Sequence, residues 1–319
     1  MSVLAIRTED LPAGVSVIVP VFNSEQTLEP LVTRIAAVLR DRDFEIILID
    51  DGSRDGSWQT IQRLAQAHSF VHGVRMMRNF GQHNALVCGV RSARYDMVCT
   101  IDDDLQNPPE EISRLLAALT DAVDVVYGAP EHEQHGLLRD VASQITKIVL
   151  QKAMGAATAR NISAFRVFRT RLRRAFEDYR SPYVSIDVLL TWATSRFAVV
   201  KVRHEPRTIG RSNYTLHKLM SHALNMLTGF STWPLRMASL IGFFFTLFGM
   251  GVLAYVIGRY LIQGSTVAGF PFLASIIAIF SGAQLFALGI IGEYLARLHF
   301  RMMERPTYVE LERTERSSR

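Results

Sequence analysis

Two long stretches without a charged residue follow Trp233, and they restrict the folds open to this chain of 319 residues. The first covers residues 237–258 and the second, beyond Arg259, covers residues 260–292. Because about 20 apolar residues suffice for a helix to cross a bilayer, both stretches predict transmembrane helices, at about 237–261 and 268–292. A pair of buried helices in a soluble core is the alternative, which the length of the stretches disfavours.

Basic residues flank this pair of stretches and predict its orientation. Arg236 precedes the first stretch and Arg297, Arg301 and Arg305 follow the second, whereas the loop between them offers only Arg259. Since Lys and Arg are retained on the cytoplasmic side of membranes, both chain termini are expected in the cytoplasm. The amino terminus lacks a basic start followed by a long apolar run, so no signal peptide is expected.

Before the apolar stretches, the pattern alternates between short strands and helices. Apolar, β-branched runs at 15–21 and 44–50 flank a helical pattern over 27–40, and similar runs follow at 71–76, 97–101 and 124–127. Continuous apolar strands between helices predict an α/β domain with a mostly parallel sheet covered on both faces. The expected parts are a tail, the α/β domain, a juxtamembrane region, the helix pair and a cytoplasmic tail, at 1–13, 14–210, 211–233, 234–298 and 299–319.

Three consecutive carboxylates follow the fourth of these strands. They are Asp102, Asp103 and Asp104, and Gln106 adds a further side-chain oxygen. The alternate carboxylates of Asp102 and Asp104, with the Gln106 oxygen, form a hard-oxygen set suited to Mg²⁺ or Mn²⁺ that carries a diphosphate. A solvated acidic turn that caps the helix expected after Pro108 is the alternative.

A second acidic pair, Asp50 and Asp51, ends the second strand and precedes a Gly-Ser turn. In open α/β sheets, ligands bind in the crevice outside the carboxyl ends of the strands. The two acidic clusters are therefore expected to face one crevice, which predicts a nucleotide and its metal ion at that edge of the sheet.

A basic loop and an amphipathic segment join the α/β domain to the apolar stretches. Arg207, Arg211, Ser212 and Tyr214 belong to the loop, and arginine forks suit phosphate oxygens; an exposed basic loop is the alternative. Apolar residues recur at helical spacing over 216–230, which predicts a helix in the membrane interface or one packed on its own domain. The net charge of +5 suits anionic headgroups and diphosphates rather than nucleic acid, since no aromatic-basic motif accompanies it.

Six stretches together resemble the family 2, GT-A-fold polyprenyl-phosphate glycosyltransferases, over nearly the whole chain from Val15 to Tyr308. They are residues 16–23, 50–53, 78–83, 102–110, 165–166 and 292–295. Within that family, the stretches 78–83 and 105–111 look closest to the branch that transfers a formamido-arabinose to undecaprenyl phosphate, with the bactoprenol glucosyltransferases next.

The resemblance implies an activity and its partners. The expected reaction is a metal-dependent, inverting transfer of a sugar from a UDP-sugar to polyprenyl phosphate. The expected place is the cytoplasmic face of the bacterial inner membrane, and the product would serve cell-envelope glycan synthesis or lipopolysaccharide modification. The expected cofactor is Mg²⁺ or Mn²⁺ and the expected partners are the donor, the acceptor and membrane lipids; a homo-oligomer is left open and no nucleic acid is expected.

The resemblance also implies roles for individual residues. Nucleotide-binding roles are implied for Pro20, Asn23, Asp50, Asp51, Asp102 and Asp103. Metal-binding roles are implied for Asp102, Asp104 and Gln106. Positions near the acceptor phosphate are implied for Arg139, Arg166, Arg211, Ser212 and Tyr214. The residues expected to be catalytic are Asp104 and Arg166.

Departures from the family pattern bear on the sugar rather than on the metal. Ala164 precedes the Phe-Arg motif, where Asp or Ser is frequent, and Asn213 stands where Lys is common, so Arg211 is expected to supply the cation. Ser24 separates the Asn of the first motif from Glu25. The metal set is intact, and the identity of the transferred sugar stays open.

No strong general base is expected, because a lipid phosphate is already largely anionic near neutral pH. Asp187, in a helix predicted over 184–194, is a candidate, but an acid near a helix start more commonly partners the helix dipole.

Two other functions stay open. One is a non-catalytic membrane scaffold with a transferase-like domain, which the intact metal set disfavours. The other is a processive polysaccharide synthase, for which a Gln-x-x-Arg-Trp string and further spans are missing.

Overall fold

The computed structural model describes residues 11–131, 161–180, 184–205, 233–263, 269–303 and 305–314. The chain divides into two compact units, one formed by Met1–Met220 with Glu304–Arg319 and the other by Ser221–Met303. The amphipathic segment at 216–230 lies outside the described residues, so its predicted position in the membrane interface stays a prediction.

The helices and strands of the described residues are numbered here in chain order. The strands are β1 Val15–Val21, β2 Phe44–Asp50, β3 Val71–Met76, β4 Met97–Thr100, β5 Val125–Pro130, β6 Arg166–Arg169, β7 Phe197–Val202 and β8 Glu310–Arg313. The α-helices are α1 Glu25–Leu39, α2 Ser57–Ala67, α3 Gln82–Ser92, α4 Ile112–Ala118, α5 Ile186–Ala193, α6 Trp233–Gln263 and α7 Phe270–Met302. Two 3-10 helices cover Pro109–Glu111 and Thr170–Phe176.

The first unit has three layers because the strands of its sheet are apolar on both faces. Val17 and Val19 of β1 pack with Leu31 of α1 in one buried cluster, which also contains side chains of α2 and α4. On the other face Ile18 lies against α3, where a Cβ at Gly89 would come within 2.3 Å of the Ile18 side chain. Helices therefore cover both faces of the sheet, as the sequence pattern predicts.

The described residues form a sheet of eight strands in the order β7-β5-β6-β4-β1-β2-β3-β8. β1 pairs in parallel with β2 from Val15↔Phe44 onward, and with β4 from Val15↔Met97 onward. β6 is antiparallel to both β4 and β5, and β8 is antiparallel to β3. The predicted fold class is confirmed, but β4 and β5 are not neighbours, because the antiparallel β6 lies between them.

The second unit contains the two long apolar helices. The windows Leu235–Arg259 and Ile279–Ala296 have mean hydropathies of 2.2 and 1.4 and are not buried, so both helices are long and apolar enough to cross a membrane. Where the helices contact each other, the rings of Phe245 and Phe280 lie 5.8 Å apart, centroid to centroid, in an edge-to-face arrangement. α7 extends beyond the predicted span at 268–292, because the charged segment after Gly292 remains helical to Met302.

The chain after α7 returns to the sheet of the first unit. β8 pairs with β3 through Val74↔Arg313 and Arg75↔Glu312. Beyond the strand, the amide of Thr314 donates to the carbonyl of Gly73 at 3.0 Å. The segment predicted at 299–319 to be a cytoplasmic C-terminal tail thus contributes the strand β8 to this sheet.

Candidate active site at the carboxyl edge of the sheet

The acids that follow β4 lie at the carboxyl edge of the sheet, and Asp103 joins them to the end of β1. Its Oδ2 accepts a hydrogen bond from the amide of Phe22 at 3.1 Å. Burial raises the pKa of Asp103, while hydrogen bonds from Ser24 and from the Phe22 amide act in the opposite direction. Asp103 thus fixes the loop after β1 against the loop after β4, and its implied role in nucleotide binding stays a prediction.

The carboxylates of Asp102 and Asp104 are half-buried on either side of Asp103. Asp102 Oδ1 accepts a 2.6 Å hydrogen bond from Gln82 Nε2 at the start of α3, and Asp104 Oδ1 accepts the amide of Gln106 at 3.1 Å. Between them, Leu105 has a φ of 61°, in the left-handed region that a branched residue rarely adopts. Such backbone strain persists only where surrounding contacts impose it, and it is concentrated at functional sites.

These side chains have the chemistry of an ion shared with a substrate. No group of three or more His, Cys, Asp or Glu side chains that could hold a metal ion occurs among the described residues. Mg²⁺ and similar ions in nucleotide sites need only one or two carboxylates, because the substrate phosphates supply further oxygens. Asp102 and Asp104, with Gln106 beside them, fit that requirement. The metal set remains a prediction from the sequence.

Asp51 lies at the same edge and is held by backbone amides. Its two carboxylate oxygens accept the amides of Phe80 and Gly81 at 2.7 and 2.8 Å. Burial raises the pKa of Asp51 to about 6, although these two hydrogen bonds oppose the rise. Gly81 has a φ of 97°, which glycine adopts without strain and which presents both amides to the acid. Asp51 thus fixes the loop before α3 against the end of β2.

Asp50 is fully buried at the end of β2. Its Oδ1 accepts the amide of Ser53 at 2.9 Å, which closes the turn after the strand. Its Oδ2 lies 3.3 Å from Arg75 Nε, close enough for an ion pair, although the geometry does not make a hydrogen bond. Asp50 therefore supports the turn and faces a guanidinium from β3.

The loops after β1 and β2 bind each other through Asn23. The Asn23 amide donates to Ser53 Oγ at 3.0 Å, and its side-chain oxygen accepts the amide of Arg54 at 2.8 Å. Asn23 has a φ of 56°, and Pro20 is buried within β1. These contacts show Asn23 joining the two loops at the carboxyl edge of the sheet, and the nucleotide-binding roles implied for Asn23 and Pro20 stay predictions.

Arg166 lies in a buried cluster rather than on an open surface. Its side chain is 2% exposed and pairs with Asp187 of α5, and its guanidinium lies 5.7 Å from the ring centroid of Tyr127. The Tyr127 hydroxyl donates to the same Asp187 oxygen at 2.9 Å, and burial raises the pKa of Tyr127 well above its ordinary value. The interpretation of Asp187 as a helix-dipole partner is incomplete, since its carboxylate is engaged by these two groups.

The cluster joins α5 to the strand that lies beside the acids. Arg166 is the register partner of Thr100, the last residue of β4. The predicted contact of Arg166 with an acceptor phosphate stays a prediction, because the described residues engage this side chain with Asp187. No spacing in the sequence marks Tyr127, and the Phe-Arg motif alone pointed to this part of the fold.

The other residues expected at the acceptor phosphate lie outside the described residues, namely Arg139, Arg211, Ser212 and Tyr214. The chain that leads toward the basic loop is described as far as Glu205, whose amide donates to the carbonyl of Gln106 at 2.8 Å. Two residues earlier, Arg203 Nε donates to Glu111 Oε1 at 2.8 Å. Burial alone would raise the pKa of Glu111, but the hydrogen bonds from Arg203 and Arg114 hold it below its ordinary value. The segment that enters the basic loop thus begins beside the acidic loop.

Comparison with known proteins gives relatives that span almost the whole chain. The model of the family described as glycosyl transferase family 2 matches residues 16–180. The chain is 33% identical over 299 residues to an undecaprenyl-phosphate 4-deoxy-4-formamido-L-arabinose transferase of Yersinia enterocolitica, covering 92% of this chain and 91% of the relative. The corresponding transferase of Pseudomonas savastanoi is 35% identical over 310 residues, covering 95% and 91%.

Solved structures support the fold. A mycobacterial protein matches with a TM-score of 0.52 at 18% identity, covering 70% of this chain and 74% of that one. Glucosyl-3-phosphoglycerate synthase of Mycobacterium tuberculosis, in complex with Mn²⁺, UDP and phosphoglyceric acid, matches with a TM-score of 0.50 at 17% identity, covering 70% and 78%. At this identity the likeness concerns the fold alone. The family model and the full-length relatives confirm the resemblance seen in the sequence, and the chain belongs to glycosyl transferase family 2.

Proposed function

We propose that the protein transfers a sugar from a UDP-sugar to a polyprenyl phosphate, with inversion at the anomeric carbon. The observation that carries this proposal is that Asp51, Asp102 and Asp104 lie at one sheet edge, where the amide of Glu205 donates to the carbonyl of Gln106. The relatives named above are transferases that act on undecaprenyl phosphate. Their names make 4-deoxy-4-formamido-L-arabinose the first sugar to test on the proposed UDP-activated donor.

Asp102 and Asp104, with Gln106, would hold Mg²⁺ or Mn²⁺. When bound, the ion stabilises the negative charge of the departing diphosphate. Two hydrogen bonds support this assignment, because Gln82 orients the carboxylate of Asp102 and the Gln106 amide orients that of Asp104. Pre-set oxygen ligands need no reorganisation when the substrate binds.

Positioning is expected to supply most of the remaining catalysis. The acceptor phosphate is largely anionic near neutral pH, so its oxygen can attack without a strong base. Holding two reactants in a near-attack geometry contributes several kcal/mol, of the order of 7–11 in favourable model reactions. The proposed phosphate-binding residues are Arg139, Arg211, Ser212 and Tyr214. Arg166 is proposed to act in the same region by holding helix α5 through Asp187.

The proposed location is the cytoplasmic face of the bacterial inner membrane, with α6 and α7 as a transmembrane hairpin. Two features support it. Both helices are long and apolar enough to cross, and β8 belongs to the same sheet as the strands that precede α6. An even number of crossings must therefore separate these strands from β8, which agrees with a hairpin and with the basic flanks.

The proposal is tested by incubating the purified full chain with Mn²⁺, a short-chain polyprenyl phosphate and a panel of UDP-sugars. UDP release with glycolipid formation is expected for one donor. Asp104→Ala is expected to lose this activity while keeping its unfolding temperature. Asp41→Ala is the matched control, because this exposed acid pairs only with its neighbour Arg40 among the ion pairs observed.

Each failure has its own meaning. If the wild-type protein neither binds nor consumes any sugar nucleotide, the transferase proposal fails and the non-catalytic scaffold gains support. If the wild type is active and Asp104→Ala is equally active, the metal assignment is wrong while the transferase function stands.

A further inference from the structure

The segment Arg305–Thr314, called here the C-terminal clamp, is bound into the α/β unit along its length. Its strand β8 extends the sheet at β3. The Thr314 hydroxyl accepts the amide of Gly73 at 2.8 Å, and Thr307 is 3% exposed. These backbone and side-chain contacts make residues 305–314 a structural part of the α/β unit.

One contact of the clamp leads to Asp50. Glu312 of the clamp forms an ion pair with Arg75 Nη1 at 3.4 Å. The Nε of the same guanidinium lies 3.3 Å from Oδ2 of the fully buried Asp50. Glu312 therefore helps to set the direction in which Arg75 faces the acid at the end of β2.

A second contact leads to Asp51. The carbonyl of Val309 in the clamp accepts the amide of Met77 at 2.9 Å. Met77 begins the loop whose amides at Phe80 and Gly81 bind Asp51. The clamp thus holds the first residue of the loop that holds the acid.

A third contact leads to Asp102 through α3. Arg91 near the end of this helix donates to the Thr307 hydroxyl at 3.2 Å, and its guanidinium lies 5.7 Å from the ring centroid of Tyr308. At the beginning of the same helix, Gln82 donates to Asp102. The clamp therefore contacts the elements that support all three acids.

We propose that the C-terminal clamp is a positioning element of the donor site, so that the chain beyond the second apolar helix sets the affinity for the nucleotide diphosphate. This inference rests on the proposed function, because it assigns the acids to the donor. None of the three contacts involves a residue that is proposed to bind the acceptor phosphate. Loss of the clamp is therefore expected to change the interaction with the donor and to spare the interaction with the lipid acceptor.

The sharpest test is Glu312→Gln, which removes one charge and keeps the strand. Affinity for UDP with Mn²⁺, measured by titration calorimetry, and the KM for the donor are each expected to weaken about two- to fivefold, the range typical of a partly exposed ion pair. The KM for the polyprenyl phosphate is expected to stay unchanged. Glu29→Gln is the matched control, because it removes an exposed pair with Arg63 at 3.0 Å that lies between α1 and α2.

A truncation after Met303 is the stronger perturbation. It is expected to weaken UDP binding by about tenfold or more, and a synthetic peptide of residues 305–314 is expected to restore binding by adding a strand to the free edge of β3. Unchanged UDP affinity in Glu312→Gln would overturn the inference, even if the truncated chain failed to fold. A wild-type chain that bound no UDP would instead overturn the proposed function, and the inference with it.

Discussion

Replacement of Asp187 by alanine distinguishes a structural acid from a catalytic base. The structure buries Arg166 and engages it with Asp187, while the Tyr127 hydroxyl donates to the same carboxylate. Asp187→Ala leaves a guanidinium that is 2% exposed without its counter-charge and leaves the Tyr127 hydroxyl without its acceptor. The main expected effect of Asp187→Ala is a loss of folding stability rather than the loss of a catalytic base.

The size of this loss follows from the burial of the pair. Removing one partner of a buried ion pair costs about 3–5 kcal/mol, because the remaining charge stays desolvated. For a unit of roughly 200 residues, 1 kcal/mol lowers the unfolding temperature by about 2–4 °C. The expected decrease is therefore about 6–20 °C. Arg166→Met combined with Asp187→Leu is expected to recover part of this loss, since no buried charge then remains.

The assay is thermal unfolding of the purified full chain in detergent, followed by tryptophan fluorescence, to which Trp192 of α5, beside the ring of Tyr179, contributes. Asp178→Ala, an exposed acid in the same region, serves as the control and is expected to change stability by less than about 0.5 kcal/mol. The reasoning is refuted if Asp187→Ala keeps the wild-type unfolding temperature while its turnover collapses and the acid limb of the pH-rate profile disappears. That combination would identify Asp187 as a base.

Two further outcomes are expected. Burial raises the pKa of Asp51 from 3.8 to about 6 in the folded protein. The contribution of Asp51 to stability is therefore present below pH 4 and is lost as the pH rises through 6, by on the order of 3 kcal/mol. The free energy of unfolding of Asp51→Asn, measured by denaturant titration at several pH values, should lack this loss. If the free energies of the variant and the wild type changed in parallel with pH, the assignment to Asp51 would be wrong. Gly52→Ala is expected to lower stability by about 1–3 kcal/mol, because φ is +73° and the new Cβ would lie 2.7 Å from the Asn79 amide nitrogen. Gly251→Ala, with no atom within 4 Å, is its control in the same unfolding assay.

The buried parallel strands were predictable because their short, β-branched apolar runs alternate with helical patterns along the chain. Val15–Val21, Phe44–Asp50 and Val71–Met76 have the bounds that the sequence indicates. The strand predicted at 124–127 begins and ends later, as Val125–Pro130. Its end was missed because Gly128 and Pro130 are poor strand formers, and here pairing with β7 extends the strand to them.

β8 was not predictable from hydrophobic pattern. Its sequence, Glu-Leu-Glu-Arg, has one apolar residue and three charged ones, and its side chains are mostly exposed. Charged residues are common on edge strands, where they prevent pairing with other chains. Backbone pairing with β3 and the ion pair of Glu312 with Arg75 hold this strand, and no property of the four residues alone specifies either contact.

The acids of the site were predictable as a group, but their supports were not. The ends of β2 and β4 bring Asp50, Asp51 and Asp102 to one edge because parallel strands point the same way. The pairing of Arg166 with Asp187 joins residues 21 positions apart in different elements, so no local periodicity reveals it. Sequence pattern thus predicted that the acids lie at one edge of the sheet, whereas the partners that hold each acid follow from tertiary packing.

The hydrogen bonds between Gly73 and Thr314 join residues 241 positions apart. Because synthesis proceeds from the amino terminus, the edge of β3 must wait for its partner until both apolar helices and residues 310–314 have been made. Until then a row of backbone donors and acceptors stays open to other chains. Folding of the α/β unit is thereby coupled to synthesis of the two apolar helices, so a polypeptide that ends before residue 310 cannot assemble the full sheet.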